Sequence, residues 1–89
     1  MRLTVEELTG ARDAVAELLE EIGLSNYLYE VEPDGHSDAR WRVRIECETP
    51  DGWKMTELRV DRSTLEQSRR RDAAVRSTLL SAWGNRLRR

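Results

Sequence analysis

The sequence alternates strictly between apolar and charged residues over positions 40–48. The apolar positions are Trp41, Val43, Ile45 and Cys47. Because successive side chains of a strand point to opposite faces of a sheet, this pattern predicts an antiparallel strand with one face on a core and the other in solvent. The charged positions then place Arg40, Arg42 and Arg44 in a row on the open face of the sheet.

A capping box and an apolar stripe predict the first helix, over about residues 4–22. Thr4 and Glu7 have the spacing at which each side chain accepts a hydrogen bond from the backbone N–H of the other. The apolar residues that follow recur three and four positions apart, which places them on one face of a helix. Gly23 is the expected left-handed residue at the end of this helix.

Two turn signals divide the next part of the chain into three strands. The predicted strands span about residues 26–32, 39–48 and 53–60. Pro33-Asp34-Gly35 and Pro50-Asp51-Gly52 separate them, since proline presets the φ of a turn and glycine accepts a positive φ. Consecutive antiparallel strands joined by short loops form a meander.

The third strand contains a shift in its alternation. Trp53 and Met55 fall on one face of the strand. The next apolar pair, Leu58 and Val60, falls on the other face. A β-bulge at 56–57 would bring both pairs to the core, which makes Trp53 an expected core residue. The alternative is that another chain covers the end of this strand.

A second capping box predicts the last helix, over about residues 62–84. Asp61 or Ser63 is the expected cap, and Glu66 stands at the position that completes the box. The middle of this segment is polar throughout. Either the helix extends past the sheet there, or it breaks into a short turn and a longer helix from about residue 70.

The end of the chain carries a helix stop and a basic tail. Gly84-Asn85 is the predicted stop, and the tail spans residues 85–89. Trp83 and Leu87 lie near this end, where they could cover a partner.

All 89 residues are predicted to form one two-layer α+β domain. Its order is α-β-β-β-α, with two helices on one face of a three-stranded antiparallel meander. Such a sheet keeps one uncovered face and two edges, which are frequent sites of self-pairing. A small core and three tryptophans therefore lead us to expect association through a sheet edge or through the last helix.

Composition argues against a membrane protein, a secreted protein and an enzyme. No stretch approaches the roughly 18 apolar residues of a membrane span, and the N-terminus has no apolar signal region. The single cysteine, Cys47, suits a reducing cytoplasm and is expected in the core. His36 is the sole histidine, and its neighbours in sequence cannot form a catalytic triad with it. We therefore predict no catalytic residue, no metal site and no cofactor.

The arginine row of the second strand is the first candidate for a binding surface. A row of this kind on a sheet face could contact an anion or a nucleic acid. Acids at matching spacing stand on the flanking strands, at Glu30, Glu32 and Glu57. Their positions favour cross-strand ion pairs as the role of the row.

Charge is distributed unevenly along the chain. Residues 1–60 contain 7 basic and 14 acidic residues, whereas residues 61–89 contain 8 basic and 3 acidic residues. The basic part could bind an anion, and Arg69, Arg70 and Arg71 are the second candidate for such a site. Alternatively, a basic helix packs near the acidic first helix, and the charges offset one another within the molecule.

The order of elements resembles that of the double-stranded RNA-binding domain. That family has a loop with Gly and His between its first two strands, similar to Gly35-His36. Its second strand reads aromatic-x-Val-x-Val, similar to residues 41–45, and a basic cluster opens its last helix, about where residues 69–71 stand. The resemblance covers about residues 5–83. It implies duplex RNA binding through Arg69, Arg70, Arg71, Arg76 and His36.

Two hypotheses result. The leading one is a small non-catalytic cytoplasmic module that binds a protein partner or a second copy of itself as a homodimer. The alternative is a double-stranded RNA- or nucleic-acid-binding domain. A net charge of −2 and an acidic first helix favour the protein partner, because polyphosphate repels acidic surfaces.

Overall fold

The computed structural model describes residues 4–24, 26–35, 39–69 and 72–87. The elements, in chain order, are helix α1 (Val5–Ile22), strands β1 (Tyr27–Pro33), β2 (Arg40–Thr49) and β3 (Gly52–Asp61), and helices α2 (Arg62–Arg69) and α3 (Ala73–Leu87). The strands form one antiparallel sheet in the order β1-β2-β3. The predicted α+β class and the three-stranded meander are therefore confirmed.

Helix α1 begins and ends as its sequence predicts. The Thr4 hydroxyl oxygen accepts a hydrogen bond from the Glu7 backbone N–H at 3.0 Å, so one of the free N–H groups at the helix start is satisfied. Gly23 has a φ of 80°, and its N–H donates to the Leu19 carbonyl at 3.2 Å. These two caps fix the length of the helix that carries most of the acidic residues facing α2 and α3.

The core lies between one face of the sheet and the three helices. Strand β2 provides its floor through its alternating apolar residues, and all three helices contribute buried side chains. The core residues of β2 and of the last helix are Trp41, Val43, Ile45, Leu79, Trp83 and Leu87. Trp83 and Leu87, for which the sequence suggested contact with a partner, are therefore buried inside the molecule.

The predicted β-bulge in β3 is absent. Residues of β3 pair with β2 in one unbroken register, from Gly52 opposite Thr49 to Asp61 opposite Arg40. Thr56 occupies the core-facing position opposite Ile45 and is buried, so the alternation needs no extra residue to reach Leu58 and Val60. Trp53 and Met55 consequently lie on the open face, and the expectation that Trp53 is a core residue was wrong.

The predicted last helix is two helices. Helix α2 ends at Arg69 and α3 begins at Ala73. The Asp72 carboxylate accepts a hydrogen bond from the Val75 backbone N–H at 3.3 Å, which is the geometry of a new helix start. Within the described part of this polar stretch only Ser68 is buried, and its hydroxyl donates to the Leu65 carbonyl. The stretch thus adds little apolar contact that would hold a continuous helix against the sheet, and the broken alternative is correct.

That segment begins at the predicted residue, but it ends later than predicted. Helix α2 begins at Arg62, so Ser63 lies inside its first turn and Asp61 stands at the cap position. At the other end, α3 continues through Gly84 to Leu87, whose side chain is 2% exposed. The burial of Leu87 holds the last turn in place, and the predicted stop at Gly84 was wrong. The tail residues 88–89 lie outside the described part of the chain.

Cys47 is buried, as its place in the alternation predicts. Its Sγ lies 3.9 Å from the carbonyl oxygen of Leu87, so the end of α3 covers the thiol. No helix among the described residues has the length and apolar character needed to cross a bilayer.

Candidate functional site

The open face of the sheet has an apolar end. Leu28 of β1, Glu46 of β2 and Met55 of β3 form one row across the strands, and Trp53 lies in the next row. The exposed fractions are 64% for Leu28, 58% for Trp53 and 56% for Met55. We call these three apolar residues the apolar end. A shallow depression of about 340 Å³ runs between Leu28 and Met55, and its charged lining residues are Glu30, Arg44 and Glu46.

Burial of the apolar end by a partner would be favourable. Burying one large apolar side chain is worth about 1.5–3 kcal/mol. Scattered surface hydrophobics are ordinary, but a contiguous group rimmed by polar residues is typical of an interaction surface. The helices cannot cover this group, because all three pack on the opposite face of the sheet.

Two carboxylates next to the apolar end have no partner among the described residues. Within residues 4–24, 26–35, 39–69 and 72–87, neither Glu30 nor Glu46 makes a side-chain hydrogen bond or an ion pair. Glu48, in the next row, accepts a hydrogen bond from the Asn26 side chain at 2.8 Å. The apolar end is thus bordered by acidic side chains, and Arg44, which stands opposite Glu30 on β2, makes its ion pair with Glu32 instead.

The rest of the open face is a charged half, formed by residues Glu32, Arg42, Arg44, Glu57 and Arg59. Arg42 stands at its centre, with Nη2 at 2.6 Å from the Glu32 carboxylate and Nε at 3.6 Å from that of Glu57. Arg44 lies 3.8 Å from the same Glu32 oxygen. The predicted cross-strand ion pairs are confirmed for Glu32 and Glu57, whereas Glu30 does not take part in them.

Arg59 belongs to this network although the sequence analysis did not single it out. Its Nε lies 3.5 Å from the Asp34 carboxylate, and Asp34 has a side chain only 3% exposed. Asp34 also anchors the β1–β2 connection, since its backbone N–H donates to the Arg40 carbonyl at 3.1 Å. Arg40, the third residue of the predicted row, is exposed at the end of β2, opposite Asp61.

The basic residues of α2 and α3 face the acidic residues of α1. Arg76 pairs with Glu21 at 2.8 Å and lies 3.8 Å from Glu17. Arg69 lies 3.9 Å from Asp13. The alternative that the uneven charges offset one another within the molecule is thereby confirmed for Arg69 and Arg76.

A small cleft separates α1 from α2. It measures about 240 Å³ and reaches down to the buried Trp41. Arg62 crosses it, with its guanidinium carbon 5.6 Å from the centre of the Trp41 ring and an ion pair to Glu7. A space of this size is below the usual range of small-molecule sites, about 300–1,000 Å³, and its charges are largely satisfied.

Three of the proposed site residues cannot be placed. His36, Arg70 and Arg71 lie outside the described residues. Their predicted role in anion binding stays a prediction. Among the described residues, no group of three or more His, Cys, Asp or Glu side chains is arranged to hold a metal ion.

Sequence reasoning missed the apolar end, although its signal was present. The shift of alternation in β3 places Trp53 and Met55 on the face opposite to Leu58, and an unbroken strand is the simplest reading of that shift. Leu28 gave the same signal in β1, where it alternates with Tyr27 and Tyr29. That these three residues lie together on one face can be recognised only when the pairing register of the strands is known.

Comparison with known proteins does not assign this fold to a family. The chain matches no protein-family model, no curated protein and no solved structure.

Proposed function

We propose that this chain is a non-catalytic protein-interaction module that binds its partner on the apolar end of the open sheet face. The observation that carries the proposal is the exposure of Leu28, Trp53 and Met55 at the same end of the open sheet face. Tryptophan is among the residues that contribute most to binding energy in protein interfaces. The single buried cysteine suits a cytoplasmic setting for such a module.

Site-specific photocrosslinking in living cells tests this function. A photoreactive amino acid at position 55 should give discrete adducts with another protein. The same amino acid at position 20, an exposed site on α1, serves as the control. Absence of adducts at position 55, or equal adducts at both positions, would contradict binding at this face.

A second copy of the chain is the second partner that we propose. Strand β3 spans Gly52–Asp61 and pairs with β2 on one side only, so its other side is available to a strand of a second copy. A homodimer through this edge predicts a mass near twice the chain mass of 10.4 kDa by sedimentation at micromolar concentration. A monomer at every concentration would contradict the homodimer and leave binding of another protein intact.

Duplex RNA binding is the alternative function. The order helix, three strands and two helices is compatible with the double-stranded RNA-binding domain, and this topology is what favours the alternative. Against it, Arg69 and Arg76 already pair with acids of α1, which lowers the charge available to phosphates. Membership of that family predicts RNA affinity that falls steeply with salt and is lost when residues 69–71 become alanine. No binding at low salt would remove this alternative.

A further inference from the structure

The shape of the apolar end restricts what can cover it. Leu28 lies on β1 and Met55 on β3, so the two are separated by one strand, or about 10 Å. An extended segment that pairs with the edge of β3 would contact Trp53 and Met55. It would not reach Leu28, because β2 and β3 lie between the segment and β1. An α-helix, about 10–12 Å wide with its side chains, spans that distance when it lies over β2.

The charge of the apolar end restricts the occupant further. Glu46 lies in the row from Leu28 to Met55, and Glu30 lies in the next row, opposite Arg44. Neither carboxylate forms an ion pair among the described residues. A purely apolar occupant would bury these carboxylates unpaired, which is unfavourable. An occupant with lysine or arginine beside its apolar residues would pair with them instead.

The neighbouring charged half does not favour an occupant of the opposite, acidic kind. Its arginines already face Glu32, Glu57 and Asp34 within the sheet. An acidic partner would therefore gain little there and would be repelled by Glu30 and Glu46. Charge complementarity on this face favours a basic occupant.

A second copy of the chain fits this face poorly. In the copy, three of the helix arginines, Arg62, Arg69 and Arg76, are held by acids of its own α1. A copy packed face to face, with its twofold axis at the apolar end, would bring Glu46 near an identical carboxylate. The face therefore differs from the β3 edge, where a second copy can add a strand.

We propose that the occupant of the apolar end is an amphipathic helix of another protein, with an apolar stripe flanked by lysine or arginine. This inference rests on the proposed interaction function and names its partner class. The bound helix lies on the face opposite α1, α2 and α3, and it completes a helix–sheet–helix sandwich. Leu28 and Met55 contact its apolar stripe, and Glu30 and Glu46 pair with its cations.

Two synthetic helical peptides test the inference on the full chain. Both carry the same leucine stripe, flanked by lysine in one and by glutamate in the other. The lysine peptide should bind and shift the backbone amide resonances of Leu28, Glu46 and Met55. The double variant Glu30→Gln, Glu46→Gln should weaken this binding by about tenfold, since two ion pairs are lost.

A matched double variant separates a specific site from general attraction to an acidic protein. Glu6→Gln with Glu20→Gln makes the same charge change on α1 and should leave the affinity unchanged. Equal binding of both peptides, equal weakening by both double variants, or no binding of the lysine peptide would each overturn the inference. If the lysine peptide fails while position 55 still crosslinks to a protein, the interaction function stands and only the helical basic partner is wrong. If the same resonances shift with protein concentration alone, the occupant is a second copy and the inference is also overturned.

Discussion

The guanidinium of Arg69 in α2 lies over Gly10 of α1. Its Nη2 is 3.9 Å from the Asp13 carboxylate, and an added Cβ on Gly10 would meet its Nη1 before anything else. The end of a long side chain moves at little cost. Gly10→Ala should therefore stabilise the fold by about 0.5–1 kcal/mol through helix propensity alone, while it displaces Arg69.

Gly84→Ala is the matched variant for that substitution. Gly84 also lies inside a helix, and an added Cβ there meets no atom within 4 Å. Urea unfolding measures the free energy of unfolding of both variants. The difference between the two values gives the cost of moving Arg69. A loss of stability in Gly10→Ala alone would mean that the Arg69 position is rigidly required.

Arg42 should stabilise the sheet more than Arg40 does. Arg42→Met leaves the Glu32 and Glu57 carboxylates without their shared cation, so we expect a loss of about 1 kcal/mol in the free energy of unfolding. Arg40→Met, at an exposed position, should change it by less than about 0.5 kcal/mol. Urea denaturation at low and at 1 M salt measures both, and salt should reduce the difference because it screens ion pairs. Equal losses at both positions would argue against a network centred on Arg42.

The two tryptophans outside β2 should differ strongly in their effect on stability. Trp53→Thr removes an exposed side chain and should change the free energy of unfolding by less than about 0.5 kcal/mol. Trp83→Ala opens a cavity in the core and should cost about 3–5 kcal/mol, a large part of the stability of a small domain. Thermal unfolding followed by circular dichroism measures both. A large loss for Trp53→Thr would place that side chain in the core and restore the β-bulge.

The start of α3 should depend on Asp72. Asp72→Ala removes the acceptor for the Val75 N–H and should cost about 1 kcal/mol. Asp72→Asn keeps an acceptor at the same position and should cost less. If both variants unfold at the same urea concentration as the parent chain, the cap contributes nothing and the helix break has another cause.

Much of the fold followed from local pattern. The period of two in β2 and the capping box of α1 depend on neighbouring residues only, so the sequence alone was enough to predict them. The end of α3 was missed for a different reason. Glycine inside a helix costs only about 1 kcal/mol, and the burial of Leu87 outweighs that cost.

The candidate surface was harder to predict because it depends on distant parts of the chain. Leu28 and Met55 are neighbours only through the register of β1 with β2 and of β2 with β3. The ion pairs of Arg69 and Arg76 likewise join helices from opposite ends of the sequence. Charge counts suggested such offsetting, but only the packing of α2 and α3 on α1 decides which arginines it involves.

The cover that Leu87 places over Cys47 makes the thiol a built-in reporter of local opening. A thiol reagent can reach Sγ only when the last turn of α3 lifts from the sheet, because Cys47 is 2% exposed in the closed form. The labelling rate therefore measures how often this end opens without global unfolding. A fusion or tag attached after Leu87 can be assessed in the same way, by whether it speeds the labelling of Cys47.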